Sequence, residues 1–384
     1  MTAVNGTLSD AIEGRLMPGA TGGAVRVGVL PGVGSGPEVV ETAMTVLRAA
    51  CEGTGREPAI EYAPPESAVG GADGALSEAV AEFCRDTFAA GGAVLAGAHG
   101  GRWVYELRRR FDLFCKLSPI RPAPELDAVA GPISPAALNG VDMLVVREQS
   151  GGVYQGRWSE TETEDQGRLA EHSFSYGQRQ VRRVMRIAAE LARRRSGRLA
   201  VIVKDGGVPS VSRIWRACAE EVADEVPRLT VMDIDFAVYE LLRAPQDLDV
   251  ILAPNLFGDI VCDAGGALLG SRGITFGASF DAGRAAVYQT NHGAAHDLAG
   301  TDSANPAGQI LATAMMLRES FGMGREAASV EAALRAAWAD GFRTADVTEA
   351  GSRLVGTREM GERVAERIAA TRAAGPGAVA AERP

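Results

Sequence analysis

The chain has no run of about 18 apolar residues, the length a membrane-crossing helix needs, so a membrane span is not expected. It also has no basic excess. The 39 Lys and Arg are outnumbered by 49 Asp and Glu, and the formal net charge is −10. With no surplus of positive charge to neutralise phosphates, nucleic acid is not an expected partner, although a local basic pocket for a small acid is still allowed. Cysteine is sparse: Cys51, Cys84, Cys115, Cys218 and Cys262 are scattered, odd in number and form no CxxC pair. That pattern reads as reduced thiols in a cytoplasmic protein. Residues 1–24 lack the apolar core of a secretion signal and read as a disordered leader. The Ala-, Gly- and Pro-rich residues from Ala373 to Pro384 read as a second loose end. No internal repeat is found.

What is there is an ordinary globular composition, 46% apolar and 23% charged over 384 residues, enough for two domains. Apolar runs of strand length alternate with amphipathic stretches throughout, which predicts an α/β fold. Val25–Leu30 reads as a first strand. Pro31-Gly32-Val33-Gly34-Ser35-Gly36-Pro37-Glu38 then turns into a helix carrying Val39, Val40, Ala43, Val46 and Leu47. This GxGxGP turn lacks the third glycine of a dinucleotide fingerprint and carries Pro37 at the helix start, so a Rossmann fold is rejected. Glu78–Ala90 reads as a helix capped by Ser77. Arg102, Arg108, Arg109, Arg110 and Lys116 form a dense basic set, of which only one or two can face a common ligand. Arg147 ends a strand, where a guanidinium is well placed to grip a carboxylate bidentately. Residues 160–167 are polar and acidic and suit an exposed arm.

The apolar run Val250–Pro254 leads into Asn255-Leu256-Phe257-Gly258-Asp259-Ile260-Val261-Cys262-Asp263. On a helix, Asp259 and Asp263 share one face a turn apart. Two carboxylates so placed suit a hard cation such as Mg²⁺ or Mn²⁺. On spacing alone, two solvated helix acids are the commoner explanation.

Four motifs occur in order. They are the GxGxGPE turn from Gly32 to Glu38, Arg147-Glu148-x-x-Gly151-Gly152-x-Tyr154, Asn255-Leu256-Phe257-Gly258-Asp259-x-x-x-Asp263, and His292-Gly293-x-Ala295-x-Asp297-x-Ala299-Gly300 with Asn305-Pro306. Together, over residues 25–372, they resemble the isocitrate/3-isopropylmalate dehydrogenase family of metal-dependent β-decarboxylating dehydrogenases. The resemblance implies two α/β domains that share a large mixed sheet, with the active-site cleft between them. It puts a cofactor-binding domain at about 25–119 plus 270–384. A dimerisation and metal/substrate domain spans about 120–269, with an exchanged arm near 153–175. It implies a homodimer with shared active sites that oxidises a substituted malate-type 2-hydroxy acid with NAD, with Mg²⁺ or Mn²⁺ bound, and then releases CO₂.

By the same resemblance, Asp259 and Asp263 from one subunit and Asp235 from its partner match metal ligands. Tyr154 matches the proton donor to the enolate carbon, and Arg108 and Arg147 match substrate-carboxylate arginines. His292, Gly293, Asp297 and Asn305 match the cofactor loop. An acid at Asp297 followed by Leu298, in place of a Lys–Tyr pair, implies NAD over NADP, because a carboxylate would repel a 2′-phosphate. The chain also departs from the pattern. A catalytic lysine is expected where Asp205 stands, and Lys204 comes one residue early. Neighbours on a strand face opposite sides, so Lys204 is the candidate base only if Gly206-Gly207 re-aims the turn, and otherwise the role is lost. Ser118 occupies a position where a substrate arginine is expected, leaving Arg121 or Lys116 to compensate. The segment from Trp103 to Arg108 is much shorter than the family loop that selects the substrate side group. A specialised dehydrogenase is the primary reading. A catalytically impaired homologue acting as a ligand-binding or regulatory subunit is the alternative.

Overall fold

A computed structural model describes residues 7–12, 24–64, 75–129 and 133–374. The chain runs through β1 (Val25–Leu30), α1 (Gly36–Cys51), β2 (Pro58–Tyr62), α2 (Glu78–Ala89), β3 (Ala93–Ala96), α3 (Trp103–Arg110) and β4 (Cys115–Ile120). It continues through α4 (Pro135–Leu138), β5 (Met143–Glu148), β6 (Arg157–Thr163), β7 (Gly167–Ser173), α5 (Gln178–Arg194), β8 (Arg198–Val203), α6 (Pro209–Glu220) and β9 (Arg228–Asp233). Next come α7 (Ile234–Arg243), β10 (Val250–Ala253), α8 (Asn255–Leu268), β11 (Phe276–Phe280) and β12 (Ala286–Thr290). The last elements are α9 (Ala307–Phe321), α10 (Gly324–Ala339), β13 (Phe342–Arg343), β14 (Arg353–Leu354) and α11 (Thr357–Ala374).

Ten strands form one sheet in the order β2-β1-β3-β12-β11-β4-β5-β10-β8-β9. The outer blocks β2-β1-β3-β12 and β5-β10-β8-β9 are parallel within themselves. Between them, β11 and β4 pair antiparallel with each other and with their outer neighbours. The two blocks therefore run in opposite directions through a two-domain α/β fold, which no doubly wound Rossmann sheet does. Helices cover the sheet, so β4, β5 and β10 are buried along their whole length and read as apolar runs rather than alternating ones. Arg147, Glu148, Lys116 and Ser118 break those runs, each at most 3% exposed. Charges sunk into a sheet centre are costly unless partnered, which makes this seam the candidate site.

Ser77 caps α2 by accepting the Val80 N–H, as its sequence position predicts. Gly34 has φ +62°, and its α-carbon faces the Ala294 carbonyl so closely that a Cβ would lie 2.0 Å from it. That approach joins the first glycine turn to the His292 loop, where the Ser35 N–H donates to Ala294 O at 2.8 Å. The acidic arm is an exposed antiparallel hairpin, β6–β7. All five cysteines are buried, and none is in a disulfide. Among the described residues no helix is long and apolar enough to cross a membrane.

The leader departs from expectation within residues 7–12. Residues 1–6 and 13–23, and the tail beyond 374, lie outside the described residues. Leu8–Ala11 form a turn of 3₁₀ helix that packs against α5, and the Leu8 and Ser9 N–H groups donate to the buried Glu319 carboxylate of α9 at 3.2 and 2.8 Å. Ser9, Ala11 and Ile12 are buried. The composition of the leader is polar and small, and only Leu8 and Ile12 hinted at docking. Helix α10 begins at Gly324, and Ala327 in its first turn is already buried against the core.

Candidate active site

The Asn255–Asp263 stretch is helical from its first residue, and its N-terminus abuts the end of β10. Asn255 is fully buried and joins the neighbouring elements. Its side-chain oxygen accepts from Arg147 Nε at 3.1 Å and Nη2 at 2.9 Å, and its amide donates to Gly151 O at 2.9 Å. Its own backbone N–H donates to the Tyr176 hydroxyl at 2.8 Å. One asparagine thus fixes the strand-end arginine, the glycine turn and the helix start together. Gly258 is required one turn on, since a Cβ there would lie 2.7 Å from Arg147 Cγ. The Glu148 carboxylate accepts the Ser150 and Gly151 N–H groups at 2.7 and 3.0 Å, which shapes the turn that delivers Tyr154.

Asp259 receives an ion pair from Arg147 and a hydrogen bond from the Tyr154 hydroxyl at 2.8 Å. Burial works against its ionisation. Arg147, the Tyr154 hydroxyl, Lys116 and Arg108 outweigh it and hold the carboxyl below the usual range. Tyr154 is pushed the other way, chiefly by burial and then by Asp259, so it keeps its proton at neutral pH. The Tyr105 ring stacks on Tyr154, centroids 4.9 Å apart, and Arg108 lies 5.3 Å from the Tyr105 centroid. Of the three consecutive arginines only Arg108 is buried. Asp263, one turn beyond Asp259, is exposed and pairs with Arg272 at 2.8 Å.

Lys116 sits directly opposite Arg147 in the β4–β5 register and is 3% exposed. Its pKa falls to about 7, through burial first and then Arg108 and Arg147. Arg121 is not part of this cluster. It follows the far end of β4, pairs with Asp142 at 2.8 Å and is half exposed. Since β4 rises about 3.3 Å per residue, five residues separate it from Lys116 by roughly 16 Å. Its expected place as a substrate cation is therefore corrected. Strand parity was the available signal, because Lys116 and Ser118 share a face and Arg121 does not.

Lys204 and Asp235 lie together on a separate exposed patch. Lys204 Nζ donates to Asp235 at 2.6 Å and to Asp233 at 3.3 Å. These bonds raise the lysine pKa and lower that of Asp235. Asp205 points elsewhere, accepting from Arg216 Nε at 3.1 Å. The turn after β8 thus aims Lys204 at the start of α7 and Asp205 at α6.

Apart from the cleft cluster and the Lys204–Asp235 patch, a cavity of 360 Å³ is lined by Ser35, Arg272, His292, Gly293, Leu298 and Asn305, among others. His292 Nδ1 is 2.8 Å from Gly293 O, while its buried Nε2 has no partner. Burial lowers its pKa, so the ring is neutral at pH 7. Asn305 donates to Asp346 at 3.1 Å and accepts the N–H of Ala307, the first residue of α9, at 3.0 Å. Asp297 is exposed on the loop between the lining residues Ala295 and Leu298. Sequence reading gave no roles to Asn255, Tyr176, Glu148 or Asp233. For Asn255, its place at the strand–helix junction was the only signal.

Comparison with known proteins gives the class, a decarboxylating hydroxy-acid dehydrogenase. The model for the isocitrate/isopropylmalate dehydrogenase family matches residues 26–364, and the chain belongs to that family. It is 38% identical over 365 residues to a 3-isopropylmalate dehydrogenase of Oleidesulfovibrio alaskensis, covering 90% of this chain and 99% of the relative. The corresponding protein of Geobacillus kaustophilus is 38% identical over 358 residues, with 89% and 95% covered. Among solved structures, the isocitrate dehydrogenase of Methylococcus capsulatus aligns with TM-score 0.78 at 27% identity, over 90% of this chain and 99% of that one. The TT0538 protein of Thermus thermophilus aligns with TM-score 0.79 at 27% identity, over 92% and 70%.

Proposed function

We propose that the protein is an NAD- and divalent-metal-dependent dehydrogenase that oxidises and decarboxylates a substituted malate-type 2-hydroxy acid, working as a homodimer. The observation that carries this reading is the meeting of Tyr154, Arg147 and Asp259 in one cluster flanked by Arg108 and Lys116. The donor set suits Mg²⁺ or Mn²⁺, because Asp259 and Asp263 are hard oxygen ligands one turn apart. Among the described residues no three candidate ligands converge within one chain. A partner subunit's Asp235 would complete the set, and the bound cation would acidify the substrate hydroxyl and stabilise the enolate oxygen.

In this scheme Arg147 and Arg108 bind the substrate carboxylates and orient the carbinol hydrogen toward the nicotinamide. Lys204, delivered with Asp235 from the partner, relays the hydroxyl proton. Tyr154, protonated at neutral pH, gives its proton to the enolate carbon after CO₂ leaves. The unpartnered His292 Nε2 supports adenine packing in its cavity with Gly293 and Asn305, and Asp297 supports NAD over NADP. A dimer is supported by apolar exposure on the adjacent helices α7 and α8, where Phe236, Tyr239, Leu242 and Ile260 are each more than 40% exposed. The exposed β6–β7 hairpin is the arm we assign to exchange. We assign the domain boundaries near 119/120, at the last residues of β4, and near 269/270, between α8 and β11.

An NADH-formation screen with Mn²⁺ against malate, tartrate, isocitrate, isopropylmalate and phosphonate-bearing malates tests the reading. Turnover of at least one is expected, and no turnover with any of them overturns it.

A further inference from the structure

Lys116 and Ser118 project from β4 onto the face shared with Arg147, while Cys115 and Leu117 enter the opposite core. Directly opposed residues on antiparallel strands have Cα atoms about 4.5–5.5 Å apart. Like charges so placed destabilise a sheet. Here the pair is Lys116 and Arg147, both buried. Arg147 is satisfied by Asn255 and Asp259. Lys116 has no hydrogen-bond acceptor or ion pair among the described residues. The same holds for Arg108, whose buried Nε is unpartnered. Three buried cations therefore converge on a single carboxylate, Asp259, and two of them are held without an acceptor. Nothing in the folding of the sheet calls for this. A methionine would fill the Lys116 position without the charge.

We infer that Lys116 is a substrate-binding residue, the third cation of a site built for a dianionic hydroxy acid, and that its ammonium takes a carboxylate oxygen which the two guanidiniums leave free. The inference rests on the proposed reading of the cleft as the site of a malate-type acid, and it adds Lys116 to the residues that hold that acid's two carboxylates. Monocarboxylic 2-hydroxy acids offer one carboxylate to three cations, leave the Arg108 guanidinium without a counterion and bind more weakly. An ammonium is a compact point charge with three rotatable donors, so Lys116 adapts to the acid where a rigid guanidinium fork would dictate its plane.

The test is calorimetric titration of the NAD- and Mn²⁺-loaded protein with succinate, a dicarboxylate that cannot be oxidised at a hydroxyl. Acetate serves as the monocarboxylate control. Wild type binds succinate and not acetate. Lys116→Met weakens succinate at least about tenfold, as expected for loss of one charge-assisted hydrogen bond. Lys116→Arg restores most of it. The melting temperature of Lys116→Met is no lower than wild type, which separates a binding role from a structural one. Lys116→Gln gives the same reading should the methionine variant not fold. Equal succinate affinity in wild type and Lys116→Met overturns the assignment, as does wild type binding acetate as well as succinate. Either result leaves the NADH screen, and so the function proposed above, standing on its own outcome.

Discussion

The cleft cluster and the Lys204–Asp235 patch are built in opposite ways. In the cleft, Arg147 is 3% exposed at its side chain and Asp259 38%, and both are tied through Asn255 and Tyr154 into the sheet and α8. On the patch, Lys204 is 35% exposed and Asp235 70%, and their main partners are each other and Asp233. The first is preorganised, with its positive charge in excess. The second is a solvated pair of the kind that contributes little to stability. A chain that carries the lysine and one candidate metal ligand on an outer surface, away from the acids they are proposed to serve, is half a site on each side. The contrast supports completion of each cleft by a second copy of the chain.

Substitutions in the two regions should have unequal effects. The largest is expected from Tyr154→Phe, which keeps the ring stacked on Tyr105 and removes only the proton donor. Decarboxylating turnover should fall by about 10²–10⁴-fold, read as kcat at saturating substrate, with KM little changed. Equal loss in KM would instead make Tyr154 a binding group. Next, Asn255→Ala should destabilise the fold by about 2–4 kcal/mol in urea unfolding, because it strips two acceptor contacts from a buried guanidinium and frees the Gly151 carbonyl. Unchanged stability would mean that the cleft is not preorganised through this residue.

A smaller effect concerns pH. The Lys116 amine keeps its proton to its ordinary value of 10.5 in the unfolded chain and gives it up near 7 in the fold. Between those values the unfolded state binds the extra proton, so stability from this group rises with pH from about 7 to 10.5, and below 7 the full penalty of the buried charge is present. Wild-type melting temperature should therefore gain on that of Lys116→Met as pH is raised from 7 to 10. Parallel curves would contradict the burial argument. Smallest of all, Lys204→Met should leave the melting temperature where it is, since the residue it replaces is solvated.

Much of this was legible in the chain because strand ends and helix starts carry strong local signals. The run Val250–Pro254 followed by Asp259 and Asp263 predicts a strand, a helix and two acids on one face, and α8 begins at Asn255. What was not legible depends on contacts between distant segments. Asn255 looked like a motif letter, and its partners Arg147 and Gly151 lie more than a hundred residues away. Arg121 and Lys116 lie three and two residues from Ser118, and the register of β4 against β5 sets only Lys116 opposite Arg147. Lys204 and Asp205 were ambiguous because a glycine turn does not declare its direction. The Lys204–Asp235 contact supplies it. The short helix at Leu8–Ala11 depended on Glu319, some 310 residues further along.

Completion of each cleft by the other subunit is tested most directly by mixing two inactive variants. Lys204→Met and Asp259→Asn proteins are each assayed alone, then unfolded together in equal amounts and refolded. If Lys204 serves the partner's Asp259, half of the randomly reassembled dimers carry one intact site, and activity should return to about a quarter of wild type. A mixture as inactive as its two components would contradict the shared site.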